Sequence, residues 1–398
     1  MGTTKIGKLA ALCGLTVSIV LSGCGDTATP AGTAPAVAPT TAAGQPPAAG
    51  ATDSAQALAG LASKVYSTGP YGETPAAATD ITLTDAEITK VKGMNATAAI
   101  VMHYAGNDWS VAQVDGLKSE FANLGINVIA VTDANFEPNK QVSNIETVLA
   151  KKPNIIVSIP TDPVATADAY KKAAAAGVKL VFMDNVPKDM KPGTDYVSVV
   201  SADNYGNGVA AAHIMALKLG GKGKIGIVFH AADFFVTKQR YTAFKKTIQD
   251  NYKDIQIVEE QGIAGPDFAG DANKVASAML TKHADLNGIW AVWDVPAEGV
   301  IAAVRTSGNA NVIVTTCDLG LNVAIEMAKN GSVKGLGAQR PFDQGTTEAK
   351  LAAYGLLGKQ APPYVALNAL PVQKENVLEA WKTVYHHDPP ATLAAAAK

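Results

Sequence analysis

The sequence predicts an α/β protein of two similar doubly wound parallel-sheet lobes. Short apolar strands alternate with amphipathic helices from residue 98 onward, the strands are apolar on both faces, and one set of units is followed by a second. Helices covering both faces of a parallel sheet bury both sides of every strand, whereas a sheet with one wet face reads as an alternation. The chain of 398 residues is 47% hydrophobic, enough for a large core, and its length fits two domains once a tail is set aside.

The N-terminus precedes this pattern. Lys5 and Lys8 form a basic start, and residues 9–21 are an apolar run too short for a stable membrane span. Residues 1–23 therefore read as a signal peptide, and Leu21-Ser22-Gly23-Cys24 resembles the bacterial lipoprotein signal, which makes Cys24 the lipidated residue. Cys13 falls in the discarded part, so the mature chain keeps Cys24 and Cys317 and no internal disulfide is expected. Residues 25–59 are nearly all Ala, Thr, Pro and Gly and are expected to be a disordered tether. Residues 24–93 together are a linker and lead-in, in which Thr84 and Glu87 have the spacing of a capping box.

In the first set of units, residues 98–103 form a strand. Val114, Leu117, Phe121 and Leu124 mark one helix face, closed by Gly125. Strands over 126–131, 154–159 and 178–183 follow, separated by helices over 142–149 and 165–176. The second set has strands over 224–229, 255–258, 288–293 and 312–316. The fourth strand of each half ends in an acid, Asp184 and Asp318. Ligands of open parallel sheets sit beyond the carboxyl ends of the strands, so two facing lobes enclose a small molecule between those acids. As a strand-end or cap residue either Asp is unremarkable; it is their pairing that points to a cleft.

From about residue 97 to 374 the chain resembles a type I periplasmic binding protein of the ribose-binding group. Asn107-Asp108-Trp109-Ser110 stands where that family has Asn-Pro-Phe-Phe, matching Asn107 to a hydrogen-bonding Asn and Trp109 to a stacking aromatic. Asp184 matches the sugar-binding Asp, with Asn185 in place of the following Arg. Alignment back from Phe244 puts Lys238 on a further family Arg, with Arg240 as its competitor. Trp293-Asp294 replaces an Asn-Asp pair, Asp318 and Gln339 match the remaining Asp and Gln, and His103 replaces a small polar residue. Of Phe234 and Phe235 one is expected to pack inward, and Phe235 is included among the ligand residues. Trp290, Met183 and Met215 read as packing residues.

The resemblance implies hinge strands near residues 201–203, 339–340 and 366–368. It divides the chain into an N-terminal lobe of 94–202 plus 340–367, a C-terminal lobe of 203–339 plus 368–385, and a tail of 386–398. Carboxylates and amides bond hydroxyls, and aromatic faces pack on C–H groups, a chemistry that suits a neutral sugar or sugar alcohol. The loss of two family arginines and the gain of Trp293 imply a ligand smaller than ribose or shaped differently.

The chain has 33 basic and 35 acidic residues and a net charge of −2, which offers no field for nucleic acid. It lacks a His-Glu-x-x-His or Gly-x-Ser-x-Gly motif, so neither an enzyme nor a metal or other cofactor is expected. The adjacent His386 and His387 are not expected to bind metal. The reading is a monomeric, lipid-anchored, extracytoplasmic binding protein that serves an ABC permease with a separate ATPase subunit. The alternative is a receptor that presents ligand to a membrane sensor or chemoreceptor.

Overall fold

The structure is a computed structural model and describes residues 49–61 and 63–398. The signal segment, Cys24 and most of the tether lie outside the described residues. The strands are β1 (Ala76–Ala77), β2 (Thr97–Met102), β3 (Asn127–Asp133), β4 (Ile155–Ser158), β5 (Lys179–Met183), β6 (Ser198–Ala202), β7 (Gly223–His230), β8 (Ile255–Ile263), β9 (Gly288–Ala291), β10 (Ile313–Cys317), β11 (Val333–Ala338), β12 (Tyr364–Leu367) and β13 (Leu370–Val372). They build a seven-stranded sheet in the order β1-β12-β6-β5-β4-β2-β3 and a six-stranded sheet in the order β13-β11-β10-β9-β7-β8. Every pair is parallel except β11 with β13. That edge strand enters its sheet directly from the other one, without the crossover helix that a parallel neighbour requires.

Two-sided burial is visible along β2. Ala98, Ile100 and Met102 pack into one cluster with Leu117 and Phe121, while Ala99 and Val101 pack into another with Ile145 and Phe182. The second sheet divides in the same way, with Ile227 and Trp290 on one face and Val228 and Ile289 on the other. Trp290 is fully buried and stacks on Phe244 at 4.7 Å, and Met183 and Met215 are likewise core.

Between the two sheets the chain passes three times. β6 ends at Ala202 and leads into the helix Asn204–Leu219, which packs on β11. β11 ends at Ala338 and leads into the helix Pro341–Leu357, which packs on the helix Asp108–Asn123 of the first lobe. β12 and β13 are joined by residues 368–369. All three passages lie at one flank of the sheets, and β3 and β8 form the opposite flank.

The chain before β2 is more ordered than its composition predicts. Residues 49–61, which overlap the expected disordered tether, form a helix, and Leu58 and Leu61 bury against Ala210 and Ile214. No proline occurs between Pro47 and Pro70, alanine is the strongest helix former, and the docked face supplies burial that composition alone does not reveal. Beyond it, the Tyr66 and Ser67 amides and the Ser67 hydroxyl donate to the Asp203 carboxylate at 2.8 Å each, at the first passage between the lobes. Thr84 and Glu87 make the predicted capping box. At the other end, within the expected tail of 386–398, Leu393 buries in the core of the second lobe.

Candidate functional site

The carboxyl ends of both sheets face a cavity of about 150 Å³. Asp184 follows β5 and Asp318 follows β10, and both adopt left-handed backbone, with φ of 53° and 66°. Asp tolerates that region better than most side chains, and such strain concentrates at functional sites. Each is pinned in the same way, Asp184 N–H donating to Val200 O at 2.9 Å and Asp318 N–H to Gly337 O at 3.0 Å.

Their partners differ. Arg240, on the helix Phe235–Asn251, forms a two-pronged pair with Asp318 (Nη1 to Oδ2, 2.8 Å; Nη2 to Oδ1, 3.2 Å), and Gln339 Nε2 donates to Asp318 Oδ1 at 2.9 Å. Asp184 accepts one side-chain bond, from Ser201 Oγ at 2.5 Å. Burial pushes the Asp184 carboxyl up to about 6, against the opposing pulls of Ser201 and Arg240. A buried chain joins the two acids across the lobes. Ser201 Oγ accepts from Asn204 Nδ2 at 3.0 Å, and Asn204 Oδ1 accepts from Arg240 Nε at 3.0 Å.

Asn107 caps the helix Asp108–Asn123, its Oδ1 accepting from Ser110 N–H at 2.9 Å, so the oxygen serves the helix while the residue borders the cavity. Trp109 and His103 are buried beside it, with ring centroids 6.0 Å apart and at right angles. Trp109 Nε1 and His103 Nδ1 have no partner within the protein. Burial pushes His103 down to about 3, which keeps the imidazole neutral. Trp293 lines the opposite wall and packs edge-on against Phe268 at 4.9 Å.

Four of the sequence candidates do not line this cavity. Lys238 is exposed and pairs with Asp233 at 2.7 Å, and the cavity position belongs to Arg240. Two residues along a helix turn a side chain to nearly the opposite face, so only one of the two can face inward. Asn185 turns away and donates through Nδ2 to Pro160 O at 3.0 Å. Asp294 lies in the first helical turn beyond Trp293, where its Oδ1 accepts from Val295 N–H at 3.0 Å. Burial, followed by the charge of Asp318, raises its pKa well above the usual carboxylate range. Phe235 is the first helical residue, and the extended residue before it, Phe234, supplies the cavity ring instead.

Sequence reasoning missed Phe136, His230 and Phe268, which also line the cavity. Phe136 and Phe268 follow β3 and β8 and His230 ends β7, so the available signal was an aromatic at or just beyond a strand end. Among the described residues no group of three or more His, Cys, Asp or Glu side chains could hold a metal ion.

Two doubly wound lobes that share three passages and enclose a polar, ring-lined cavity at their strand ends define a two-lobe ligand-binding protein. The periplasmic binding protein domain pattern matches residues 98–360, and the chain belongs to that family, in its type I, ribose-binding group. It is 26% identical over 264 residues to the ribose import binding protein of Salmonella typhimurium, covering 66% of this chain and 86% of that one. It is 25% identical over 264 residues to the D-apiose import binding protein of Actinobacillus succinogenes, covering 66% of this chain and 83% of that one. Among solved structures, an ABC sugar transporter subunit from Rhodobacter sphaeroides superimposes with a TM-score of 0.62 at 27% identity, over 71% of this chain and 99% of that one. An ABC transporter solute binding protein from Actinobacillus succinogenes with bound D-allose gives 0.64 at 26% identity, with the same shares covered.

Proposed function

We propose that this protein is the lipid-anchored, extracytoplasmic substrate-binding component of an ABC importer and holds one neutral sugar or sugar alcohol between its lobes. The observation that carries this reading is the pair of strand-end carboxylates, Asp184 and Asp318, facing a cavity walled by aromatic rings. Asp184 has acceptor capacity to spare for two neighbouring hydroxyls, Arg240 and Gln339 add donors, and Trp109, Phe268 and Trp293 offer faces for C–H groups. The relatives named for ribose and D-apiose import support the same class of ligand.

Binding shifts the two lobes towards a closed arrangement that the permease recognises, with movement at the three passages near residues 203, 339–340 and 368–369. One bond already spans the lobes on the cavity's side, from Leu321 N–H to Asp108 Oδ2 at 2.7 Å. The chain acts as a monomer, with the lipid on Cys24 holding it at the membrane and a separate ATPase subunit driving transport. Among the described residues no helix is long and apolar enough to cross a membrane.

A thermal-shift screen against pentoses, hexoses, tetritols, pentitols, nucleosides and amino acids tests the ligand class. A ligand at a hundred times its Kd adds about 2.7 kcal/mol, enough to move the midpoint by several degrees. A response to amino acids or nucleosides alone overturns the sugar reading. For the anchor, mass spectrometry of the mature N-terminus is expected to show a diacylglyceryl group on Cys24.

A further inference from the structure

The cavity's two ends differ in chemistry, and strand order says which end lies where. Asp184, Asp318 and Gln339 follow β5, β10 and β11, which lie closer to the passages between the lobes than β2, β3, β7 and β8 do. His103, Phe136, Phe234 and Phe268 follow β2, β3, β7 and β8, and His230 ends β7, at the opposite, outer flank. Those five rings form a closed circuit. Centroids are 4.8 Å apart for His103–Phe136, 5.8 Å for Phe136–Phe268, 5.6 Å for Phe268–His230, 6.1 Å for His230–Phe234 and 6.1 Å for Phe234–His103. All five separations lie in the range of packed aromatic pairs. Two of the contacts, Phe136–Phe268 and Phe234–His103, cross from one lobe to the other.

Phe136 is held in the circuit at the expense of its backbone. It has φ of 59°, a genuine outlier for a bulky residue, and its N–H donates to His103 O at 2.7 Å, which sets the two first-lobe rings as a unit. Tyr104 stacks behind Phe136 at 5.0 Å. The circuit stays uncharged at His103, whose imidazole is buried in it. The cavity volume of about 150 Å³ is large enough to take one six-membered ring.

Building on the sugar or polyol reading, we propose that these five rings are a collar that closes the outer flank of the cavity and limits the ligand to a free monosaccharide or short polyol, excluding glycosides, disaccharides and nucleosides. Hydroxyls meet the acids at the inner end. At the outer end the five rings stand where a substituent on the ligand would have to pass.

Calorimetry on the full chain tests this with D-ribose, D-allose and xylitol beside methyl β-D-ribopyranoside, methyl β-D-allopyranoside and adenosine. Wild type is expected to bind at least one free sugar or polyol and to bind the methyl glycosides at least about a hundredfold more weakly than the free sugars, within what one added group costs in a tight site. Phe136→Ala/Phe234→Ala opens the collar from both lobes and should narrow that discrimination to under about tenfold. Equal binding of free sugar and glycoside by wild type overturns the collar and leaves the sugar reading standing. So does a folded double variant that still rejects the glycosides. Should the double variant not fold, the wild-type comparison and Phe234→Leu, which keeps apolar bulk but removes the cross-lobe ring, decide the matter in the same way. Binding of none of the sugars or polyols overturns the sugar reading itself, and the collar's role with it.

Discussion

Asp184 in the first lobe and Asp318 in the second occupy equivalent positions. Both follow a central strand, both sit in left-handed backbone, and both donate their N–H to the neighbouring strand. Asp318 faces the Arg240 guanidinium through two bonds and Gln339 through a third, whereas Asp184 faces a single hydroxyl. Repeating the backbone geometry therefore does not repeat the electrostatics. A buried carboxylate with a matched cation is already compensated, and one without is left to take a ligand's hydroxyls or a proton. One acid of the cleft is already paired within the protein as well as cavity-facing, and the other keeps spare acceptor capacity.

The largest expected effect comes from breaking the compensated side. Arg240→Met leaves Asp318 buried without its cation, which should cost about 3 to 5 kcal/mol in urea unfolding and abolish measurable binding. Adding Asp318→Asn removes the stranded charge while keeping a residue that tolerates φ of 66°, so the double variant should recover much of the stability but none of the binding. A cost below about 1 kcal/mol for Arg240→Met would show that the pair does not compensate Asp318.

A matched pair of substitutions puts the comparison to a second test. Asp318→Asn strands Arg240 and should destabilise. Asp184→Asn should stabilise at pH 7 by roughly 1 to 3 kcal/mol while weakening ligand binding about tenfold to a hundredfold. The sign follows from linkage. The folded pKa of Asp184, about 6, lies above that of an unfolded Asp, so its contribution to stability is complete below about pH 4 and is lost as pH rises through about 6. If both variants lose stability equally at pH 7, the asymmetry is absent.

Much of this was legible in the sequence, and the failures have physical causes. Both acids were found because strands apolar on both faces end abruptly, so the residue after each is fixed by the sheet. Trp109 was found because an indole at a strand-to-helix turn has few apolar places to go, and Trp293 because the resemblance places it on the family's Asn-Asp pair. Lys238 and Arg240 could not be separated in that way, because the register of the helix Phe235–Asn251 against the sheet is set by tertiary packing of Val236, Ala243 and Phe244. Phe136, His230 and Phe268 lie in or beside irregular turns, where no periodicity reports which way a ring points. The helix Ala49–Leu61 was hidden by composition, since its stability comes from the surface it docks on.

The pH dependence of binding distinguishes the two acids more gently. If the ionised Asp184 accepts ligand hydroxyls, affinity rises as pH climbs through about 6. At pH 5 about a tenth of that carboxyl is ionised, so calorimetry should find binding about tenfold weaker than at pH 7. The dependence should vanish in Asp184→Asn. A flat wild-type profile would mean that the acid stays protonated and donates to the ligand instead.

The smallest expected effect belongs to Ser201, among the described residues the one side chain that bonds to Asp184. Its hydroxyl favours the carboxylate form, so Ser201→Ala removes that support and the midpoint of the binding profile should move further above 6. Asn204 keeps a second acceptor for its Nδ2 in Ala202 O at 3.2 Å, so the chain to Arg240 survives and stability should change by about 1 kcal/mol or less. Affinity at pH 7 should fall by less than about fivefold, and at pH 8.5, where Asp184 is ionised in either protein, the two should bind nearly alike. Asp318 draws its support from Arg240 and Gln339, so the same variant leaves it untouched. A deficit of equal size at pH 7 and 8.5 would instead place Ser201 in contact with the ligand, and Asp184 would lose its claim to be the acid whose proton sets the profile.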